Sequence, residues 1–549
     1  MGTSPAATTP ISPSSALDHL SPVPAFATVD GPPVLLAEGA VRRGSDPDGD
    51  VWRELADLDP GTLREDGYAL RIREVDGRGE AVLAATDGLG LFRGRTTLEV
   101  LRGTGAPLPQ LSIRDEPALA WRGTIEGFYG APWSHADRLA HLRFAARNKL
   151  NSYSYAPKDD PYHRERWRDP YPADLLAQLG ELVDAARELA VKFTYTIHPG
   201  LSMVCSSPED RELLYRKAEQ LWSIGVRSFA LLFDDIPKTL QHEADIAAYG
   251  ADERATGVAH GDVCRDFADR FLAPRGGDRL VMVPTDYAGT QESPYRAGLA
   301  DTLPQDALVW WTGHDIVVGE VTREHIDAAA RAFDRDLLLW DNFPVNDFDA
   351  KRLFLGPLVG RATELTGSRL VGISANPMVQ ASASQFALVT VADWAWNPSA
   401  YDPTGSARRA LPAVAGSLAG ALRPLVEACS VWPPDAARAP ELASALPRAL
   451  EGETEALAQL DAALTELAGL PEAVAGEAGP LVEELRPWLT AAASEAAVAR
   501  EAVALLAERR PLDADARTRL TARAEVTHDV LGTMLGDFTR SALDRLPPR

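Results

Sequence analysis

The chain has 549 residues, 45% hydrophobic and 24% charged, with a formal net charge of −24. That length exceeds one ordinary domain, and so acidic a surface disfavours nucleic acid, anionic membranes and, less strongly, polyanionic polysaccharides. No apolar run approaches the roughly 20 residues that cross a bilayer, and Cys205, Cys264 and Cys429 fit no metal or disulfide spacing.

In chain order, residues 1–25 come first. Their opening, MGTSPAATTPISPSSALDHL, has no basic start and no apolar centre, so it reads as a disordered tail rather than a secretory signal. With three reduced thiols it sets the expectation of a cytoplasmic protein. Residues 26–118 carry short strand-like runs at Val34–Leu36, Tyr68–Ile72, Ala81–Ala85 and Leu111–Ile113. GLGLFRGRTTLEVL (88–101) reads as a loop feeding a helix. This mixture predicts a small α+β domain.

Residues 119–400 hold eight short apolar runs, at 122–130, 151–158, 191–200, 227–235, 279–287, 307–314, 337–343 and 369–377. Near-continuous apolar runs are what strands buried on both faces look like. Helical patterns separate them. Ser134 can cap one, with Asp137 at its third position, and another spans 173–191. Eight such alternations predict a (β/α)₈ TIM barrel of the α/β class. A doubly wound open sheet is the rival, but no Gly-rich phosphate turn supports it. Residues 405–549 are rich in Ala, Leu and Glu, and Leu457, Leu460, Leu464 and Leu467 keep helical spacing, which predicts a helical bundle.

In a TIM barrel the active site lies at the C-terminal ends of the strands. Here those ends carry Glu126-Gly127, Lys158-Asp159-Asp160, Asp234-Asp235, Asp286-Tyr287, Asp341-Asn342 with Asp347, and Asn376. An isolated Asp-Asp pair after a strand is usually a turn or a helix cap; the five other polar strand ends make this one a candidate catalytic pair. Two neighbouring like charges raise each other's pKa, so one carboxyl can serve as a general acid. No His-x-His, His-Glu-x-x-His or phosphate loop accompanies the pair, so neither a metal nor a cofactor is expected. Adjacent carboxylates do not flank a sugar as ordinary glycosidase pairs do, but they suit a substrate whose own 2-acetamido group is the nucleophile. Tyr287, Trp310, Trp311 and Trp340 are candidate sugar-stacking surfaces, with barrel packing the competing reading. Lys158 can also be read as a helix-cap ion pair, and His135, His163 and His198 as structural.

The blocks RGTIEGFYGAPWSHADRL (122–139), NKLNSYSYAPKDDPYHRERWRDPY (148–171), RSFALLFDDI (227–236), PTDYAGT (284–290), WDNFPVNDFDAKRLFLGP (340–357) and ANP (375–377) together resemble glycoside hydrolase family 84. That family contains O-GlcNAcases and bacterial β-N-acetylglucosaminidases, some called hyaluronidases. The resemblance implies a retaining exo-β-N-acetylglucosaminidase acting on a GlcNAc-bearing glycan or glycoprotein through an oxazoline. It implies that Asp234 polarises the acetamide and Asp235 is the general acid/base. Gly127 and Lys158 would bind sugar hydroxyls on one side, and Asp347 and Asn376 the far hydroxyls. Tyr287 and Asn342 would position the acetamide, and Trp340 would wall the pocket. An endo-hyaluronidase and a silent carbohydrate-binding protein are the alternatives; oligomeric state stays open.

Overall fold

The computed structural model describes residue 17 and residues 20–103, 107–510, 514–521 and 528–546. Most of the expected tail lies outside them. Its last residues are not free, however: Leu20 is buried, and Ser21 Oγ and the Val23 N–H both donate to Asp393.

A five-stranded sheet comes first, made of β1 (Phe26–Val34), β2 (Leu36–Gly44), β3 (Tyr68–Val75), β4 (Arg78–Ala84) and β5 (Leu108–Asp115), in the order β1-β5-β3-β4-β2. Only β2 and β4 run parallel. The run Val34–Leu36 is not a strand centre but the break between β1 and β2, and Leu35 there faces solvent. The expected loop at 88–101 is helix from its first residue, Gly88–Arg102, capped by Asp87, whose side chain accepts from the Gly90 N–H. Its glycines serve close approach rather than a turn: a Cβ on Gly90 would strike the Gly67 carbonyl, and one on Gly94 would strike Leu83.

The eight apolar runs become eight parallel strands closed into a barrel: β6 (Trp121–Glu126), β7 (Ser152–Tyr155), β8 (Lys192–Ile197), β9 (Ser228–Leu232), β10 (Val281–Val283), β11 (Leu308–Trp311), β12 (Asp336–Asp341) and β13 (Leu370–Ala375). Closure is made by β13 on β6, with Gly372 opposite Trp121 and Ala375 opposite Thr124. Ile125, Ala230, Leu232, Val283, Leu308 and Leu338 fill the interior, so the barrel is a packed core whose only free end for chemistry is its rim. Each run outlasts its strand by a few residues, and those residues form the rim. The helix His135–Arg147 begins on the expected cap, with a reciprocal bond pair between Ser134 and Asp137.

From Pro403 onward the described residues are mainly helical, including Thr454–Ala468, where Leu457, Leu460, Leu464 and Leu467 are all buried, and the long Pro480–Glu508. These helices share one hydrophobic core with the barrel's outer layer. Glu484 reaches over to accept the N–H groups of Ser382 and Ala383, at the start of the helix Ala381–Trp396 that follows β13. It thereby caps four-orphan-donor territory that the helix's own N-cap residue leaves open. Among the described residues no helix is long and apolar enough to cross a membrane.

Candidate active site

A cavity of about 290 Å³ opens at the C-terminal end of the barrel. All nine residues named from the sequence line it: Gly127, Lys158, Asp234, Asp235, Tyr287, Trp340, Asn342, Asp347 and Asn376. Tyr129, Ile316 and Phe348 join them at the mouth, each about half exposed.

The two aspartates follow β9 after Phe233. Consecutive residues in extended chain point to opposite faces. Asp235 breaks that alternation with a left-handed backbone, φ 54°, a conformation that costs a non-glycine residue energy and marks a constrained site. Both carboxyls therefore reach one cavity, yet in different surroundings. Asp234 is buried, at 5% exposure, and Asp235 is exposed.

Lys158 Nζ lies 3.2 Å from Asp234 Oδ2, both side chains being buried. His198 Nε2 is 3.0 Å from the Asp234 carbonyl oxygen and 3.3 Å from Oδ1. A carbonyl only accepts, so Nε2 carries the hydrogen and spends it there. Oδ1 is left without a hydrogen-bond donor among the described residues. Burial works to raise the Asp234 pKa, but the Lys158 charge and the His198 contact outweigh it and hold the carboxyl far below the usual range. Two expectations change here. Asp234 is lowered rather than raised, because Lys158 and His198 compensate its charge. His198, read as structural, sits against the pair; its signal was its place at the end of β8, the strand hydrogen-bonded to β9. His163 stays behind the site on Thr196, and His135 pairs with Glu181 on the outside.

Asp235 is held by two phenols. Tyr287 donates to Oδ1 at 3.1 Å and Tyr129 to Oδ2 at 2.8 Å. Tyr129 went unnamed in the sequence, although it stands within the GFYG block. On the opposite wall Trp340 lies over Gly127 so closely that a Cβ there would come within 2.5 Å of the indole. Trp340 Nε1 and Asn376 Nδ2 both donate to Asn342 Oδ1, each at 3.0 Å, and Asn376 Oδ1 accepts the Gly127 N–H at 3.2 Å. Asn342 Nδ2 donates to the Ile316 carbonyl at 2.8 Å. This closed chain fixes one wall before anything binds. Asp347 accepts the Tyr129 N–H at 2.8 Å.

Other polar strand ends serve the fold. Glu126 takes a two-pronged bond from Arg138, Asp341 one from Arg361, and Asp160 accepts the hydroxyls of Tyr155 and Tyr171. Trp310 and Trp311 are fully buried; Trp310 packs edge-on against Trp340 at 5.7 Å and Trp311 bonds the Gly289 carbonyl.

A family model described as beta-N-acetylglucosaminidase matches residues 122–427, which holds all of the barrel but the first residue of β6. The protein O-GlcNAcases of Rattus norvegicus and Mus musculus are each 38% identical over 279 residues, 50% of this chain and 29% of theirs. The chain therefore spans under a third of those relatives. The structure of CpGH84B superposes with a TM-score of 0.81 at 25% identity, covering 95% of this chain and 99% of that one. A mutant O-GlcNAc hydrolase of Thermobaculum terrenum gives a TM-score of 0.71 at 30% identity, covering 77% of this chain and 94% of its own.

Proposed function

This chain belongs to the β-N-acetylglucosaminidase family, glycoside hydrolase family 84, and on that premise we propose that it removes terminal β-linked GlcNAc from glycans or glycoproteins as a retaining exo-enzyme. The observation that carries this reading is the buried, ionised Asp234 with an oxygen that lacks a donor, beside the exposed Asp235 in a cavity of about 290 Å³. A buried polar atom without a partner is rare and calls for one. The N–H of a 2-acetamido group is a donor of the right kind, and the cavity sits at the small end of ligand sites, suited to one sugar ring.

The chemistry follows from that placement. The acetamide oxygen gives a lone pair to the anomeric carbon while Asp234 accepts the amide N–H. The glycosidic bond breaks toward its oxygen, which takes a proton from Asp235. An oxazoline results. Water then adds to the anomeric carbon from the vacated side, passing its proton to Asp235; the oxazoline opens and the nitrogen recovers its proton from Asp234. Two inversions leave the configuration retained. Lys158 keeps Asp234 anionic, Tyr287 and Asn342 orient the acetamide, Gly127, Asp347 and Asn376 hold hydroxyls, and Trp340 covers a sugar face. The mouth is ringed by Tyr129, Ile316 and Phe348, and Lys158 is the one cation among the described lining residues, so the endo-hyaluronidase reading gains no support. The assignment of residues 26–118, 119–400 and 405–549 to three domains belongs to the same proposal, with catalysis in the second.

The test is a set of aryl glycosides. Aryl β-GlcNAc is expected to be cleaved and aryl β-glucoside to be inert. Fluorine on the acetyl group, which weakens its oxygen as a nucleophile, is expected to slow turnover step by step. Rates insensitive to fluorine would reject the substrate nucleophile, and no turnover at all would favour a binding protein.

A further inference from the structure

The sugar-facing contacts leave one group unaccounted for, the Tyr129 phenol. It donates to Asp235 Oδ2 at 2.8 Å, while its own backbone N–H donates to Asp347 Oδ2 at 2.8 Å. Its ring lies 5.2 Å from Lys158 Nζ and 5.8 Å from the Arg164 guanidinium carbon, within cation–π range. Burial, with a smaller contribution from the Asp235 carboxylate, raises the phenol above its ordinary pKa, so it keeps its proton and remains a donor.

With Tyr287 on Oδ1, both oxygens of Asp235 accept a phenol hydrogen bond. A leaving-group oxygen that takes its proton from Asp235 must reach one of them. Tyr287 belongs to the inner wall and touches the barrel's interior cluster. Tyr129 is the outer one, 47% exposed at the mouth, with Gly130 beside it in a backbone region open to glycine, φ 112°.

Resting on the function proposed above, we propose that Tyr129 is a positioning residue for Asp235 and the place-holder for the leaving-group oxygen. Its hydroxyl yields Oδ2 when an aglycone oxygen arrives. After the aglycone leaves, it re-forms its bond and steadies Asp235 while that carboxylate takes a proton from the attacking water. Tyr129 touches no bond that is made or broken. Because its backbone binds Asp347, the same residue ties the sugar-holding carboxylate to the proton-transferring one.

Tyr129→Phe removes only the hydroxyl and keeps the ring and the backbone bond. On an activated aryl β-GlcNAc, whose leaving group needs little acid help, oxazoline formation is spared more than its hydrolysis. kcat is therefore expected to fall roughly tenfold, the rate equivalent of one hydrogen bond to a charged group, and kcat/KM by a clearly smaller factor. Tyr129→Ala is expected to add a rise in KM for large aglycones. Equal falls in kcat and kcat/KM would overturn the proposal and leave Tyr129 as wall, and so would unchanged kinetics. Failure of the parent reading looks different: it appears in the unmodified enzyme, as turnover indifferent to acetyl fluorination.

Discussion

The barrel buries charge at both ends, and the two ends treat it in opposite ways. At the N-terminal ends of the strands, Asp66 accepts from Arg93, Arg122 and Asn151, and Asp115 accepts from Tyr68, Lys149, Trp396 and the Ala25 N–H. All four carboxylate oxygens there have donors. They seal the five-stranded sheet to the underside of β6 and β7. At the C-terminal ends, Asp234 keeps one oxygen without a donor and Asp235 stands exposed under two phenols. The residue types are the same. The lower cluster gives each carboxylate oxygen a donor, whereas the upper one keeps a buried acceptor unpaired, which is the arrangement a ligand-binding site needs.

Mutating the upper cluster should strike rate, and the largest effects are expected at the aspartates. Asp235→Asn should lose about 10²–10⁴-fold on alkyl or glycan-linked GlcNAc, but keep far more of the bond-breaking step when the leaving group is an acidic phenol. Asp234→Asn should be impaired by about 10²–10³-fold whatever the leaving group, since the oxazoline forms every time. Single-turnover rates plotted against leaving-group pKa separate the two. A flat plot for Asp235→Asn with a steep one for Asp234→Asn would exchange their roles.

The lower cluster should answer in stability. Asp66→Asn leaves Arg93 and Arg122 short of a buried counter-charge, and the expected loss is about 3–5 kcal/mol, read from denaturant midpoints. Its kcat/KM per folded molecule should hold; a large fall there would break the division between the two ends. Burial works to raise the Asp66 pKa, but Arg122 and Arg93 bring it down to about 2. A lowered carboxylate contributes stability above its unfolded pKa and loses it as pH falls toward the folded one. The Asp66 contribution should therefore disappear between about pH 4 and pH 2, and the variant's acid unfolding curve should be flatter in that window.

Lys158→Met sharpens the upper side of the comparison. It removes the charge that holds Asp234 low, so the acid limb of kcat/KM is expected to move to higher pH by about one to three units. At the plateau the expected fall is roughly ten- to a hundredfold, smaller than for either aspartate, because the carboxylate itself remains. An unmoved acid limb would mean that Lys158 binds sugar without tuning Asp234. The smallest effect is expected at Gly94→Ala, beside the lower cluster and away from the cavity, where the added methyl meets Leu83 and Tyr68. Overpacking there should cost about 1–3 kcal/mol with kinetics untouched.

Several choices were invisible in the linear pattern. The glycines of 88–101 look like a loop because nothing local tells a turn glycine from one crossed closely by another backbone; only the packing of that helix on Gly67 and Leu83 decides it. Polar strand ends looked alike, yet Glu126, Asp160 and Asp341 are consumed by Arg138, by Tyr155 with Tyr171, and by Arg361. Their partners lie on other elements, at distances along the chain that no period predicts. Tyr129 and His198 escaped for the same reason: their contacts with the aspartates cross from one strand end to another.

What the sequence determined by itself was the barrel and the ring of candidates. Eight apolar runs separated by helical patterns leave strands buried on both faces, and the polar residues that overrun each apolar run can only sit at the rim. All nine named residues line one cavity for that reason. What only the tertiary structure decided was how unlike the two aspartates are. They are neighbours in the chain with the same side chain, but a left-handed backbone at Asp235 turns both into one cavity. Lys158 and His198, brought in from β7 and β8, bury and ionise the first, while the second is left at the open mouth under Tyr129 and Tyr287. An ionisable group's behaviour is set by its distance to other charges and to water, and those distances exist only once the strands have closed into a ring.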